Sequence, residues 1–560
     1  MKKYIFVFLL IAYSQLSIAQ SSFMKRNMDD QFVIDQVDIL QHRLSDSFYT
    51  TVQPYSQKDA IILLENYVRS NPSLSLRERE EIYRIIAKNS EWATLKNIGD
   101  NSKYPFWSRF YKKKSDFVHL KLDNATLVLN PILNYQQMIE KNNTGQNLFL
   151  NSKGLELRAT LADRIGIYSS FTDNQERGPW HHQQYVLEHD AIPGANFYKK
   201  FKEDKPGLAN DYLVATGYLD AEVIKKMVNV SFGHNRFHIG DGYRSLFLSD
   251  VGSNYLFLRI NTKIGKLNYQ NLFMELTPSY ARKADRLLPK KYAAMHHLSI
   301  NATKWLNVGI FEGIVYGRKD HFEFQYLNPI ILYRSVEQGL GSPDNAVLGL
   351  NFKINTKINT VLYGQMLLDE FKFSELKAGN GWWANKYAIQ LGAKVARPFG
   401  IKNLLLQGEL NMIRPFTYTR DSVSDYSHYN QPLAHPFGAN FLELNFIAQY
   451  KPVKNVQLTW RSFFNKQGRD SSANLSYGSD ITKPYTWRND DYGVNLFNGF
   501  PSEVLFTNLN FAYELRYNLF IDLGFNYRYQ NSTSKIVPAF QSLQVYSGFR
   551  LNAVRRTYDY

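Results

Sequence analysis

Residues 231–250, SFGHNRFHIGDGYRSLFLSD, set His234, Arg236, His238, Asp241 and Arg244 between glycines and then fall into an apolar run. Imidazoles, guanidinium groups and a carboxylate this close together could hold an anion, move a proton or grip a polar ligand. Three other stretches are as dense. YLNPIILYRSVEQGLGSPDN carries Asn328, Arg334, Glu337, Asp344 and Asn345. DEFKFSELKAGNGWWANK carries Asp369, Glu370, Trp382, Trp383, Asn385 and Lys386. RPFTYTRDSVSDYSHYNQPLAHPFGANFLEL carries Arg414, Tyr418, His428, Tyr429, His435 and Asn440. Acids, amides and forked arginine donors suit sugar hydroxyls, and aromatic faces suit a sugar's C–H surface. The contacts this pattern nominates are Arg236, Asp241, Arg244, Arg334, Glu337, Asp344, Asn345, Trp382, Trp383, Arg414, His428 and Tyr429. The same residue types equally hold infolded loops together, and Trp382 and Trp383 could equally sit at a membrane interface.

Catalytic readings are weaker. His181-His182 and His296-His297 are adjacent pairs whose rings fall on opposite sides of an extended backbone, so neither chelates readily. His428 and His435 lack the spacing of a zinc-binding helix, no GxSxG nucleophile turn occurs, and a lone Asp369-Glu370 pair is too common to argue glycoside hydrolysis. The chain has no cysteine, which removes disulfides, thiolate ligands and a thiol nucleophile. The expectation is a binding protein rather than an enzyme, with no catalytic residues, metal or cofactor.

Most of these residues belong to links between alternating strands. The chain opens on Lys2 and Lys3, an apolar run from Ile5 to Ala12, and Ser17-Ile18-Ala19, the pattern of a secretory leader over 1–19. Residues 20–115 are expected to form a small helical subdomain. Ser56 resembles a helix cap, Ala60, Leu63, Leu64, Tyr67 and Val68 recur at helical spacing, and Ile82, Ile85 and Ile86 mark a second helix beyond Asn71-Pro72-Ser73. A weaker helix is expected over 30–44.

From about 117 the period becomes two. Leu519, Ile521, Leu523, Phe525, Tyr527 and Tyr529 alternate with Asp522, Gly524, Asn526, Arg528 and Gln530, as in a strand between an apolar and a polar medium. Strands are expected near 125–135, 147–160, 164–173, 210–221, 225–237, 254–263, 266–277, 294–303, 305–317, 346–355, 358–370, 386–397, 402–414, 440–451, 455–466, 503–515, 518–530 and 541–553. The links alternate strictly between brief turns, as at Ala162-Asp163-Arg164 and Arg516-Tyr517-Asn518, and long stretches such as 174–209 and 467–502. That sorting belongs to outer-membrane barrels and has no counterpart in a sandwich. The expected fold is an all-β transmembrane barrel of about eighteen antiparallel strands over 116–560. Its long loops would lie outside a Gram-negative cell, and both termini and the helical subdomain would lie in the periplasm. Loop content exceeds what a rim needs, so a loop-filled lumen is expected over an open one. The 231–250 cluster is expected at the outward rim, with Gly233 breaking strand register.

Aromatics make up 15% of the residues and mean hydropathy is −0.38, a balance that fits a barrel showing lipid every second side chain and equally a large soluble periplasmic β protein. Formal net charge is +16, which for an exported protein favours lipid headgroups and acidic polysaccharide over nucleic acid, for which no motif is present.

LNPIL, SKGLELRATLADRIGIYSSFTDN, FGHNRFHIGDGYRSLFLSD and the YLNPI, YRSVE and DN run resemble the Wzi-type capsule-assembly family of outer-membrane barrels. GWWANKYAIQLGAK and HYNQPLAHPFGANFLE look most like its RemB-like gliding-motility branch. The resemblance spans nearly all of the chain beyond the leader. It implies an eighteen-stranded barrel with a periplasmic helical bundle, a role in holding or exporting surface polysaccharide, and other outer-membrane or motility proteins as partners. The histidine-bearing stretch departs from the capsule branch's Trp-Gly-Pro-like turn, so polymer specificity does not transfer.

Overall fold

The computed structural model describes residues 22–95, 101–102, 109–143, 145–162, 164–201, 208–280, 287–319, 321–342, 344–420, 423–470, 474–533 and 538–560. The leader expected over 1–19 and the turn residue Asp163 lie outside these residues.

A closed antiparallel barrel of 18 strands dominates the fold. In chain order the strands are β1 (Ala125–Glu140), β2 (Leu148–Leu161), β3 (Ile165–Arg177), β4 (Ala209–Ile224), β5 (Val228–Asn235), β6 (Tyr255–Ile264), β7 (Leu267–Leu276), β8 (Lys291–Asn301) and β9 (Leu306–Tyr316). They continue as β10 (Asn345–Asn355), β11 (Thr360–Leu368), β12 (Tyr387–Ala396), β13 (Leu404–Ile413), β14 (Phe441–Tyr450), β15 (Val456–Arg469), β16 (Phe500–Arg516), β17 (Leu519–Ser532) and β18 (Phe540–Leu551). Each pairs with its sequence neighbour, and β18 closes on β1 from Gln544↔Glu140 to Leu551↔Leu133. The other half of β1 pairs with a short strand, Val118–Leu122.

The period-two pattern sorts the two faces. On β17, Ile521, Leu523 and Tyr529 are exposed on the outer wall while Asp522, Asn526, Arg528 and Gln530 are buried inside. Gly233 does not break register: β5 pairs with β6 straight through it. Its lack of a side chain is needed because a Cβ there would meet the Gly217 carbonyl at 2.2 Å. Short turns gather at one end of the barrel and long links at the other, with two departures from strict alternation. Residues 141–147 and 533–539, on the long-link end, are short because β1, β17 and β18 run on as ladder where loop was expected.

Three helices, α1 (Gln31–Leu40), α2 (Gln57–Ser70) and α3 (Leu76–Lys88), cover the short-turn end. Ser56 caps α2 by accepting from the Asp59 backbone N–H, and a reciprocal capping box joins Ser75 to Glu78 at α3. Their apolar faces share one core with Val361, Tyr363, Ala396 and Leu405 of the inner wall. Arg77 donates to the Lys451 and Pro452 carbonyls, Arg84 pairs with Glu514, and the Leu44 N–H donates to the Lys304 carbonyl, so the helices are tied to the turns themselves.

The lumen is filled. The link 236–254 folds inward, and Phe237, Ile239, Leu246, Phe247 and Leu248 pack with Tyr418, Tyr426, Leu433 and Ala434 of the link 414–440 against Phe311, Val347, Ala388 and Phe441 of the wall. The 231–250 cluster therefore leaves the rim where it was expected, because its apolar half must be buried and the barrel interior is the available core. Val52–Gln53 pairs with His238–Ile239 as a small ribbon, and Phe23 stacks on Tyr218 at 4.6 Å, so the N-terminal segment threads this core as well. Gly240, at φ +151, lies where a Cβ would meet Gln365 Nε2 at 2.6 Å, which fits the ribbon against β11. Beyond β18, residues 552–560 leave the wall and turn into the lumen.

Candidate functional site

The infolded links are held by carboxylates on the inner wall. Glu409 of β13 accepts from the backbone N–H groups of Tyr243 (2.7 Å) and Arg244 (3.1 Å) and from the Tyr363 hydroxyl (2.9 Å). Glu443 of β14 accepts from Arg244 Nη2 (3.2 Å), His435 Nε2 (2.8 Å) and Asn411 Nδ2 (3.0 Å), joining both links to one buried charge. Arg244 also donates to the Asp559 carbonyl at 2.6 Å, and the Asp559 carboxylate receives Arg461 and the Tyr243 hydroxyl. Burial opposes that carboxylate's charge, but Arg461 and Arg244 hold its pKa down at about 2.

Above this network, α4 (Trp180–His189), the links 414–440 and 470–499 and the upper ends of β15 and β17 enclose a pocket of about 100 Å³ at the long-link end. Trp180, Gln184 and Glu188 recur every fourth residue and so share one face of α4, which lines the pocket. Tyr185 stacks on His189 at 4.0 Å and meets Tyr560 edge-on at 5.1 Å. Gln467, Thr482 and Gln530 add amide and hydroxyl groups, and Arg469, paired with Glu188, and Arg528 add guanidinium groups. His182 Nδ1 bonds the Tyr560 hydroxyl at 2.5 Å and His181 Nε2 the Tyr558 carbonyl at 2.9 Å, which fixes α4 to the C-terminal segment. Burial pushes His182 down to about 4, only partly offset by Glu176.

A second chamber of about 230 Å³ lies deeper and shares Tyr185, Pro432, Pro436 and Tyr560 with the pocket. Arg26, Arg236, Arg244, Lys394, Arg461, Arg555 and Arg556 line it against Asp29, Asp35, Asp250 and Asp559, an excess of positive charge. Arg236 Nη1 is held by the Gly194 and Gly252 carbonyls, and among the described residues no carboxylate lies within ion-pair distance of it.

The twelve residues nominated from sequence fall into four groups. Asp241, Arg244, Asn345, His428 and Tyr429 are buried in the packing of the infolded links. Asp241 accepts from Thr50 and Thr51, Asn345 donates to the Tyr418 carbonyl, and His428 Nδ1 accepts from the Thr277 N–H. Arg334, Glu337 and Asp344 belong to the link 317–344, which lies on the outer wall. Asp344 takes Arg318 in a two-pronged bond of 2.8 and 2.6 Å, and Glu337 takes Arg334 at 2.9 Å. Trp382, Trp383 and Arg414 form a knot between the links 369–386 and 470–499. There the Arg488 guanidinium lies 4.1 Å from the Trp383 ring, and Arg414 donates to the Val494 carbonyl. Arg236 lines the deep chamber, and among the described residues no carboxylate lies within ion-pair distance of it. The pocket residues Gln184, Tyr185, Arg469 and Arg528 were not nominated. The signal for Gln184 and Tyr185 was present in WHHQQYVLEHD, a helix-spaced run inside an otherwise non-helical link, whereas Arg469 and Arg528 are ordinary inward positions of β15 and β17.

Among solved structures the chain is similar to Wzi of Escherichia coli, described as an outer-membrane protein involved in group 1 capsule assembly and a carbohydrate-binding β-barrel. Identity is 13%, the match covers 96% of this chain and 99% of that one, and the TM-score is 0.56. Pseudomonas aeruginosa OprD matches over 76% of this chain and 95% of that chain at 10% identity and a TM-score of 0.41. No family model and no curated protein matches the chain. At 13% identity the likeness to Wzi extends to the fold alone, a closed antiparallel β-barrel of the same architecture.

Proposed function

We propose that the long-link end of this barrel binds surface polysaccharide without cleaving it, in the outer membrane, with α1–α3 on the periplasmic side. The observation that carries this reading is the pocket under α4, where aromatic rings, side-chain amides and two guanidinium groups converge above a filled lumen. Apolar faces and a few fixed polar groups are what a sugar-binding cavity requires. The basic chamber below it and the formal charge of +16 favour a polymer bearing uronate or phosphate groups. The leader pattern supports export, and the capsule-barrel likeness supports a role in assembling or attaching a surface layer. The RemB-like motifs extend that role to gliding and to partnership with other surface proteins.

The test is capture of the cell's own exopolysaccharide by purified barrel. Wild type retains the polymer, the double variant Gln184→Ala/Arg528→Gln loses most of it, and Arg334→Ala, altered only on the outer wall, retains it. Failure of wild type to bind would favour a scaffold for protein partners, and sugar fragments released during incubation would favour an enzyme.

A second reading has its own observation. Pocket and chamber meet at Tyr185, Pro432, Pro436 and Tyr560, so small anions could pass in single file if that constriction opened. Steady conductance of the wild-type barrel in a planar bilayer would favour it.

A further inference from the structure

The lipid-facing wall carries a row of polar side chains where apolar ones are required. Asn271 of β7 lies opposite His296 of β8, and His296 opposite Glu312 of β9, all at mid-strand. They share the outer face with Leu298, Ile300, Val308 and Ile310, whose exposure marks the lipid-facing band. Polar and charged groups on that face are destabilising near the bilayer midplane. Yet all three are buried, because the link 317–344 lies over them.

The cover is specific. The Tyr333 ring lies over His296 at 4.0 Å, tilted by 38°, Tyr326 meets Tyr316 at 4.8 Å, tilted by 42°, and the Arg334 N–H donates to Glu312 Oε1 at 3.0 Å. Tyr326, Tyr333 and Val336 form a core with the outward residues Phe273, Tyr292, Ala294 and Ile314. The Tyr269 hydroxyl donates to the Pro329 carbonyl, and Tyr269 lies two residues from the short-turn end of β7. From the top of β9 the link thus descends about 20 Å along the strands, most of the apolar band.

Charged side chains along this segment lie toward its upper ends. Lys319, His321, Gln338 and Ser342 are exposed near its upper ends, where Arg420 donates to the Ser342 carbonyl. Its lowest part exposes Phe324 (78%), Ile330 (86%) and Leu332 (66%) beside the amides of Gln325 and Asn328, the latter accepting from the Ile330 N–H, while Glu323 is paired with Arg318. Arg334, between the two levels, is paired with Glu337.

We propose that residues 322–332 are a re-entrant strap immersed in the hydrocarbon layer. Its partner is the acyl chains of the membrane, and it seals the row Asn271–His296–Glu312 from lipid. The inference rests on the chain spanning a membrane, and the test separates the two. The chain has no cysteine, so Ile330→Cys, Leu332→Cys, the outer-wall control Leu391→Cys and the loop control Tyr492→Cys each carry one thiol. With a fluorophore on each and the barrel in vesicles of brominated phosphatidylcholine, Ile330→Cys and Leu332→Cys are expected to lose the same fraction of emission as Leu391→Cys. Tyr492→Cys is expected to keep its emission. Quenching at Leu391→Cys without quenching at 330 and 332 overturns the strap alone; no quenching at Leu391→Cys overturns the membrane reading and the strap with it. Adding Glu312→Ala to Ile330→Cys should raise its labelling by a water-soluble maleimide several-fold, and Glu312→Gln, which keeps the acceptor, should not. Equal labelling in both would remove the sealing role.

Discussion

Glu443 is the residue on which the interior turns. It is buried, it takes Arg244 from one infolded link and His435 from the other, and among the described residues it is the only carboxylate in hydrogen-bonding contact with both. Removing one member of such a cluster leaves a buried charge uncompensated. Glu443→Ala is therefore expected to lower unfolding stability by about 3–5 kcal/mol, read as a shift of the denaturant midpoint in detergent. The histidines supply a pH dependence. Burial holds His182 and His428 at about 4, below the ordinary 6.5, so their neutral forms favour the folded state. That contribution is complete above pH 6.5 and is lost as pH falls from 6.5 to 4. Asp559, held at about 2, adds a contribution that is lost only below pH 4. A spin label at Thr557→Cys should gain mobility between pH 6.5 and 4, and an unchanged spectrum through that window would refute the His182–Tyr560 clasp. Asp369, raised to about 6 by burial, acts in the opposite sense, so the link 369–386 should not loosen with the tail.

At the level of elements, the strands were legible and the links were not. Alternation such as Leu519 to Tyr529 is imposed by a wall between two media, so it survives in the sequence, and all eighteen expected strands are present within a few residues of their expected bounds. The same density of Arg, Asp, His and Trp that suggested ligand contacts also ties link to link and link to wall, because a charge in a protein interior and a charge facing a ligand need the same residue types. Nothing in the spacing of Arg334 or Asp344 distinguishes a loop reaching outward from one folded back over the outer wall. The pocket was missed for the converse reason: its residues come from α4, β15 and β17, and only closure of the barrel brings them together. The helical end gives a separate prediction. α1–α3 are tied to the short turns through Arg77, Arg84 and Leu44, so if that end faces the periplasm, protease added to intact cells should leave residues 31–88 uncut. Cleavage there without lysis would reverse the orientation. Ser75→Ala, which removes the capping box of α3, should cost about 1 kcal/mol without altering ligand binding.

For the whole molecule, a barrel of this size would conduct freely if empty, but its interior is a packed core crossed by links, N-terminal segment and tail. The wild-type barrel is accordingly expected to show little steady conductance in a planar bilayer. What remains open to solution is the pocket under α4 above a chamber rich in arginine, on a chain of net charge +16. Net positive charge attracts an acidic polymer from a distance, and its long-range part is screened by salt. The most direct test is a binding isotherm of the intact barrel in nanodiscs for the cell's own exopolysaccharide, measured at low and high salt. Binding should be saturable, weaken as salt rises, and be lost in Gln184→Ala/Arg528→Gln while Arg334→Ala binds as wild type does. No binding by wild type, or equal binding by the pocket variant, would contradict the account.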